Sequence, residues 1–212
     1  SEAQNAFGDN RVYVEKYFRE SRHVEFQIVA DTYGNVVHLF DRECSIQRRH
    51  QKIIEEAPCA VLDETLREKM GQAAIDAAKA CGYVNAGTVE FLLDQEHNFY
   101  FLEMNTRLQV EHPVTEAITG IDLVEKQLQI AMGLPMNFSQ DQLTINGHAI
   151  EARLYAEDAL KDFAPSPGTI HFVRWPENHL ARTDTYFSDK TEILPDFDPM
   201  LAKIITHGKT RE

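Results

Sequence analysis

The feature that most constrains the fold is a pair of strand-like segments, residues 87–93 and 99–105, joined by the polar loop 94–98. Apolar and polar residues alternate in part of each segment, at residues 88–91 and 102–105, as is typical of strands with one face in a core. A connection this short joins antiparallel neighbours. With the turn in the middle of the loop, Glu90 lies opposite Glu103 on the same sheet face. The chain therefore contains an antiparallel hairpin with two opposed carboxylates.

Other segments extend this pattern to an α+β fold. Alternation also predicts strands over residues 23–30, 36–40 and 148–155. Apolar residues at helical spacing, between a capping aspartate and a terminating glycine, predict helices over residues 63–82 and 122–133. Antiparallel strands with packed helices define the α+β class.

The polar stretch between the last predicted helix and Gly147 is the expected boundary between two domains, residues 1–135 and 147–212. A turn is predicted over residues 195–199 in the second domain. The chain opens directly in a helical pattern and stops just after the apolar run 200–205. We therefore expect a piece of a longer protein.

Charge and hydropathy exclude two classes of partner. The formal net charge of −13 argues against a nucleic-acid surface, which needs many compensating cations. No stretch approaches the ~18 apolar residues of a membrane span, and no signal peptide is evident. The three cysteines, without C-x-x-C spacing, indicate a reducing compartment. We expect a soluble, cytoplasmic protein, or one of the mitochondrial matrix if the source is eukaryotic.

One local exception to the acidic charge is the segment 42–52, in which four basic residues stand against one glutamate. By charge alone, the segment is predicted to be a solvated basic loop.

The opposed carboxylates Glu90 and Glu103 need a proton, a basic neighbour or a metal ion to be tolerated. Asn105 follows on the same face, and two carboxylates with an amide are hard oxygen ligands suited to Mg²⁺ or Mn²⁺. Because Mg²⁺ completes its coordination with water and phosphates, the site suggests a nucleoside triphosphate. A solvent-facing hairpin with incidental acids is the alternative that the hairpin alone leaves open.

A polar stripe continues beyond this hairpin. Glu103, Asn105, Arg107, Gln109 and Glu111 share one parity, so an extended backbone would turn all five side chains to one side. The arginine offers a planar fork for a small oxyanion, the glutamine a further donor and the last glutamate a proton acceptor. The His-Pro pair that follows is expected to end the strand.

The run Glu-Met-Asn-Thr-Arg-Leu-Gln-Val-Glu-His-Pro at residues 103–113 resembles the signature of biotin carboxylase, an ATP-grasp enzyme. Further segments match in the same order along nearly the whole chain, at residues 15–17, 22–25, 44–52, 55–58, 86–91 and 151–158.

The resemblance implies the C-terminal part of an ATP-grasp domain, lacking its N-terminal part and glycine-rich lid, followed by a truncated biotin carboxylase C-terminal domain. It implies ATP-dependent carboxylation of carrier-bound biotin by bicarbonate through carboxyphosphate. ATP, Mg²⁺ or Mn²⁺ and biotin are the implied cofactors. A biotin carboxyl carrier domain or protein, a carboxyltransferase component and a second copy of the full-length chain in a homodimer are the implied partners. The piece alone is expected to be inactive.

The same resemblance assigns roles residue by residue. The implied ATP contacts are Glu15, Lys16, Phe18, His23, Gln47, His50, Leu92 and Glu103, with Phe18 standing where the family commonly has an aliphatic residue. The implied metal ligands are Glu90, Glu103 and Asn105. The implied bicarbonate site is Lys52, Arg107, Gln109 and Val110, the last through its backbone. The implied catalytic residues are Glu111 as the base, Arg153 on the ureido oxygen of biotin, and Arg107 assisting.

Two alternatives remain open from the sequence. One is a non-catalytic scaffold, against which every matched chemical group in this region counts. The other is an ATP-grasp ligase of the carbamoyl phosphate synthetase type, which shares the carboxylate pair and asparagine but is disfavoured by the Arg-x-Gln-Val-Glu-His-Pro continuation and by Arg153. The final carboxyl acceptor is not specified, because acetyl-CoA, propionyl-CoA, methylcrotonyl-CoA, pyruvate and urea carboxylases share this module.

Overall fold

The structure, a computed structural model, describes residues 2–196 and 198–212. Its helices are α1 (Glu2–Phe7), α2 (Glu64–Ala80), α3 (His112–Thr119) and α4 (Leu123–Ala131), with 3-10 turns at Gln140–Gln142 and Ala159–Lys161. Its strands are β1 (Arg22–Ala30), β2 (Val36–Arg48), β3 (Gln51–Ala57), β4 (Asn85–Leu93), β5 (Phe99–Asn105), β6 (His148–Tyr155), β7 (Glu157–Asp158), β8 (Ala164–Pro165), β9 (Gly168–Thr169), β10 (Arg182–Asp184), β11 (Glu192–Ile193) and β12 (Met200–Gly208). Ser1 of the predicted first domain and Phe197 of the predicted turn lie outside the described residues.

Eight strands form one sheet in the order β10-β12-β6-β3-β2-β1-β4-β5, and every neighbouring pair is antiparallel. This architecture, with helices on the sheet, confirms the predicted α+β class. β6 follows the predicted domain boundary and pairs with β3, so one sheet continues across that boundary. The division into two domains stays a prediction. None of the helices in the described ranges is long and apolar enough to cross a membrane.

The apolar core lies between α2 and one face of the central strands. Val24, Phe26 and Ile28 alternate along β1 and pack with Met70 and Ala74 of α2, all of them fully buried. Asp63 caps α2 as predicted, because its side chain accepts a hydrogen bond from the backbone N–H three residues on. Each large apolar side chain buried here contributes about 1.5–3 kcal/mol to stability. The opposite face of the same strands is therefore available for polar and charged side chains.

The predicted extended run through residue 111 is wrong beyond Asn105. β5 ends there, residues 106–111 are irregular, and the new helix α3 begins at His112. Pro113 suits the first turn of a helix, where a backbone N–H has no intrahelical acceptor. Val114 and Ile118 of α3 pack into a separate buried cluster. The His-Pro pair thus starts a helix rather than only stopping a strand.

Candidate active site

An open cavity of about 620 Å³ lies over the polar face of the sheet, bordered by the loop that follows β5. Thirteen of the sixteen residues predicted to act in the site line it: His23, Gln47, His50, Lys52, Glu90, Leu92, Glu103, Asn105, Arg107, Gln109, Val110, Glu111 and Arg153. The cavity is therefore built where parity and hairpin register placed it, although residues 106–111 are not a strand.

The three predicted hinge residues, Glu15, Lys16 and Phe18, are not among the side chains that line this cavity. Lys16 Nζ lies 4.6 Å from the ring centroid of Phe18 and 3.4 Å from the hydroxyl of Tyr100. Tyr100 is the cross-strand neighbour of Leu92, which does line the cavity. The ring centroid of Phe18 also lies 4.6 Å from that of Tyr100, so Lys16 and Phe18 both contact β5. Their role at an adenine base stays a prediction.

Lys52 is the hub of the polar face. Its ammonium lies 2.6 Å from a carboxylate oxygen of Glu25, 2.6 Å from Glu111 and 3.1 Å from Glu90. Burial alone would lower the pKa of Lys52, but the adjacent negative charges, Glu25 foremost, outweigh burial and raise it well above its usual range. Lys52 is therefore a permanent cation on the floor of the cavity.

Arg42 is a part of the site that the sequence prediction missed. It is fully buried, and its five N–H groups donate to Glu25 (2.6 Å), Gln27 (2.8 Å), Thr115 (2.9 Å), Gln109 (3.0 Å) and Thr88 (3.2 Å). The prediction of a solvated basic loop over residues 42–52 is thus wrong, because most of this segment is strand and its first arginine is buried. The available signal was the placement of polar residues at alternate positions of the otherwise apolar β1.

Glu90 is confirmed opposite Glu103 in the β4–β5 register. Its Oε1 accepts hydrogen bonds from Gln109 (2.7 Å) and Asn105 (2.9 Å), and its Oε2 lies 2.5 Å from Nε2 of His23. Burial would raise the pKa of Glu90, but the hydrogen bond from His23 and the charge of Lys52 prevail and lower it to about 2. The carboxylate is ionised at neutral pH and fixed in orientation.

The donor set predicted for a metal ion is assembled at the cavity. The side-chain amide of Asn105 bridges the two carboxylates, 2.9 Å from Glu90 Oε1 and 3.2 Å from Glu103 Oε1. Which end of an amide faces a partner is assigned from its hydrogen bonds, and the opposite orientation presents the oxygen. Two carboxylates and an amide oxygen fit Mg²⁺ or Mn²⁺.

A second cluster of possible ligands, formed by one histidine and two glutamates, is less suited to a metal ion. Ligand atoms of His23, Glu25 and Glu90 lie within 4.8 Å of one another. Both carboxylate oxygens of Glu25, however, already bind cations, one to Arg42 and one to Lys52. That group is held together by ion pairs.

Glu111 lies at the N-terminus of α3 between two cations. Its Oε1 is 2.6 Å from Lys52 and its Oε2 is 2.9 Å from Nη2 of Arg153, which β6 contributes. Glu111 itself is 2% exposed. Burial would lower the pKa of Arg153, but Glu55 and Glu111 raise it well above its usual range. The carboxylate is thereby oriented by two permanent positive charges.

The remaining predicted anion-binding groups differ in how free they are. Arg107 is exposed in the cavity, and its guanidinium donates to the Leu108 carbonyl at 3.3 Å. Gln109 is buried, its oxygen held by Arg42 and its nitrogen by Glu90. The Val110 carbonyl accepts a hydrogen bond at 2.9 Å from Lys203, a residue of β12 to which the sequence motifs assign no role. Arg107 is thus the cation with the most freedom to meet an incoming anion.

Comparison with known families divides the chain into two matching parts. Residues 1–139 match the family model described as carbamoyl-phosphate synthase L chain, ATP binding domain. Residues 151–212 match the model of the biotin carboxylase C-terminal domain.

Individual relatives agree with both matches. The chain is 56% identical to biotin carboxylase 2 of Bacillus subtilis, covering 99% of this chain and 47% of that protein. It is 55% identical to a pyruvate carboxylase subunit of Methanothermobacter thermautotrophicus, covering 100% of this chain and 43% of that protein. The chain therefore spans about half the length of the curated relatives it matches.

Solved structures share the fold closely. One is the biotin carboxylase domain dimer of 2-oxoglutarate carboxylase from Hydrogenobacter thermophilus, in complex with MgADP, ADP and bicarbonate; it has a TM-score of 0.94 and 47% identity, and the match covers 99% of this chain and 46% of that one. Another is biotin carboxylase from Campylobacter jejuni in a β,γ-ATP complex, with a TM-score of 0.94, 46% identity and coverage of 99% and 47%.

Proposed function

The chain belongs to the biotin carboxylase family of ATP-grasp enzymes, and we propose that the protein containing it uses ATP and bicarbonate to carboxylate biotin held on a carrier. The observation that carries this proposal is the position of Glu111, held between Lys52 and Arg153 at a cavity into which Arg107 is exposed. In this arrangement Glu111 can act as a base, while Lys52, Arg153 and Arg107 supply positive charge for an anion beside it. We divide the chain into the two domains predicted from the sequence, whose bounds lie near those of the two family-model matches.

Glu111 acts as the general base in this mechanism. It takes the proton of bicarbonate, and the resulting oxyanion attacks the γ-phosphate of ATP, whose bond to ADP breaks, so that carboxyphosphate and ADP are formed. Carboxyphosphate then breaks down to CO2 and phosphate, and N1 of biotin bonds to the CO2 while its proton passes to that phosphate. Lys52 and Arg153 hold the carboxylate in one orientation, which a general base needs for direct proton transfer. Both neighbours stay cationic, so they hold the Glu111 carboxylate in place before bicarbonate arrives.

Bicarbonate binds to the cations and amides around that base. Arg107 supplies a planar fork for two oxygens, and Lys52 supplies a point charge. The amide of Gln109 is held by Arg42 on one side and Glu90 on the other, so its position is set before binding. Preorganised donors of this kind spend little free energy on reordering when negative charge develops.

Nucleotide and metal are held at the neighbouring edge of the cavity. His23, Gln47 and His50 face the ribose and phosphates, and Leu92 packs on the base beside the hinge residues. Glu90, Glu103 and Asn105 hold Mg²⁺ or Mn²⁺, which when bound neutralises charge on the phosphates. On biotin, Arg153 stabilises the ureido oxygen as it gains enolate character, with Arg107 assisting.

The intact protein that contains this chain provides the test. Wild type is expected to cleave ATP only with bicarbonate present and faster when biotin is added. Glu111→Gln keeps the shape but loses the base, so we expect the biotin-dependent rate to fall by about 10²–10⁴-fold. Arg49→Gln, which changes an exposed side chain on the turn between β2 and β3, is the control. A Glu111→Gln enzyme with a wild-type rate would contradict the assignment.

A ligase of the carbamoyl phosphate synthetase type is the second candidate, favoured by the description of the family model that covers residues 1–139. The C-terminal match at residues 151–212, from which Arg153 comes, favours biotin as the acceptor. ATP cleavage that is unaffected by biotin would support this second candidate.

The partners follow from the same proposal. We propose that a biotin carrier and a carboxyltransferase component act with this module and that the full-length enzyme is a homodimer in the cytoplasm, or the matrix of a mitochondrion. The relative from Methanothermobacter thermautotrophicus is named as one subunit of a carboxylase, and the Hydrogenobacter thermophilus structure is described as a dimer. Size-exclusion chromatography with light scattering on the full-length protein tests the dimer.

A further inference from the structure

Two buried glutamates that the proposed mechanism does not use face each other beside the site. Glu55 on β3 is the direct cross-strand partner of Glu151 on β6, and both are 0% exposed. Side chains in such a pair share one sheet face, with Cβ atoms ~4.5–5.5 Å apart. Two negative charges at that separation, away from water, repel each other strongly.

The hydrogen bonds of this pair are incomplete among the described residues. Oε1 of Glu55 accepts a hydrogen bond of 2.7 Å from Nε of Arg153. The other Glu55 oxygen and both oxygens of Glu151 are buried without a partner. Buried polar atoms are nearly always paired, and a protonated carboxyl becomes a donor that its neighbour accepts. A single proton on the pair therefore allows one hydrogen bond, which pairs two of these three oxygens, and removes one negative charge.

The neighbouring cations do not neutralise the second carboxylate of the pair in place of that proton. The titratable groups whose charges act on the pair are Glu25 from β1, Glu111 at the start of α3, Arg153 and Tyr155 on β6, and Lys203 from β12. Arg153 is already shared between Glu55 and Glu111. Lys203 already donates to the Val110 carbonyl and pairs with Asp184 at 3.4 Å. Neither cation makes a direct contact with Glu151.

We propose that Glu55 and Glu151 share one proton, carried by Glu151, and that the ionised Glu55 is the positioning residue that holds Arg153 beside Glu111. Glu55 has a cationic partner and Glu151 has none, so the proton belongs on Glu151. Burial raises the pKa of Glu55 to about 7 and that of Glu151 to about 8, which agrees with one shared proton at neutral pH. The inference deepens the proposed function and rests on it, because Arg153 is the group assigned there to biotin.

The proton matters because it sets the charge next to Arg153. With Glu151 neutral, one carboxylate lies on each side of the guanidinium, at Nε and at Nη2, and fixes its plane. Loss of the proton adds a second negative charge on the Glu55 side and draws Arg153 away from Glu111. Binding of biotin should therefore weaken as the pH rises through about 8.

Kinetics of the full-length enzyme test the positioning role. Glu55→Gln removes the charge that orients Arg153, and a charged hydrogen bond of about 1.5–3 kcal/mol corresponds to a rise of about 10–100-fold in the KM for biotin, with a much smaller change in the KM for ATP. Glu56→Gln is the matched control: Glu56 is the next residue on β3, faces the other side, and pairs with His148 and Arg211. Its biotin KM should equal that of wild type.

The shared proton has its own readout that needs no turnover. In pH-difference infrared spectra of the full-length enzyme, wild type and Glu56→Gln should show a protonated-carboxyl C=O band that disappears near pH 8, and Glu151→Gln should lack it. Absence of such a band above about pH 6, where ordinary carboxyls are ionised, would overturn the shared proton. An unchanged biotin KM in Glu55→Gln would overturn the positioning role. Failure of wild type to respond to biotin would instead refute the proposed function, leaving the infrared result to decide the proton.

Discussion

The two faces of β1 are both buried, but they are stabilised in opposite ways. On one face Val24, Phe26 and Ile28 pack against α2 without directional contacts. On the other, Glu25 and Gln27 hydrogen-bond to Arg42, which has no free N–H. Apolar contacts tolerate small shifts, whereas a buried charge network is stable only when each member has its partner. We therefore expect a substitution on the polar face to lower the free energy of unfolding more than a substitution on the apolar face.

The largest effect is expected from Arg42→Met, which tests the polar face. Removing the guanidinium leaves Glu25 with a single cation and four neutral groups without a donor, so we expect a loss of about 3–5 kcal/mol in the free energy of unfolding. Urea denaturation of the full-length enzyme measures it. Arg49→Met is the control, because Arg49 is an exposed ion-pair residue worth about 0–1 kcal/mol. A loss of under about 1 kcal/mol in Arg42→Met would show that the buried polar groups do not need Arg42 as their partner.

Met70→Ala tests the apolar face. Met70 is fully buried in α2 against β1, and truncating it should cost about 2–5 kcal/mol through lost burial and the cavity left behind. The folded enzyme should keep its KM for biotin and bicarbonate, since no charged group moves. A tenfold change in either KM would mean that the two faces of β1 are coupled rather than independent.

Glu151→Gln tests the polar face through the pH dependence of the free energy of unfolding. Burial raises the folded-state pKa of Glu151 to about 8, above the ordinary value near 4.3, so the folded state binds the proton more tightly than the unfolded chain does. The contribution of Glu151 to wild-type stability should then be full below about pH 4 and fall as the pH rises towards 8, by at most about 1.4 kcal/mol per pH unit. Unfolding curves at several pH values should show a shallower decline in Glu151→Gln. Identical pH slopes would contradict the raised pKa.

The smallest effect on stability is expected at the exposed rim, from Glu103→Gln. Exposed substitutions usually change stability by no more than about 0.5 kcal/mol. Binding of Mg-ADP should nevertheless weaken by more than about tenfold, since even loss of an outer-shell partner of a metal costs about 10–100-fold. Titration calorimetry of the full-length enzyme measures this, with ADP in the absence of Mg²⁺ as the control. A scaffold without catalytic function would show no metal-dependent binding in either protein.

Elements with local signals were predictable from the sequence. The cap at Asp63 and the cap at Asp122 mark the starts of α2 and α4, and the short polar loop fixes the register that opposes Glu90 and Glu103. Helix α3 was not predictable in this way. Its preceding residues alternate like a strand, and its position is set by packing of Val114 on distant strands.

The network beneath the site was also beyond sequence reasoning. The sequence predicts a basic loop around Arg42, because its acceptors lie 15 to 73 residues away along the chain and give no local signal. The contacts of Lys203 and of the Glu55–Glu151 pair likewise form only when β3, β6 and β12 come together. Motif resemblance located the groups assigned to substrates, whereas the residues that hold those groups in place became evident only in the folded chain. The individual substrate roles stay predictions.

Carboxyl transfer from bicarbonate to biotin is the reaction that we propose for this polar face. Incubating the full-length enzyme with ATP, Mg²⁺, biotin and isotopically labelled bicarbonate, then trapping the product, tests it directly. We expect ATP-dependent label in carboxybiotin for wild type, and almost none for Glu111→Gln. Bicarbonate-dependent ATP cleavage by wild type without any label in biotin would rule out carboxyl transfer to biotin at this site.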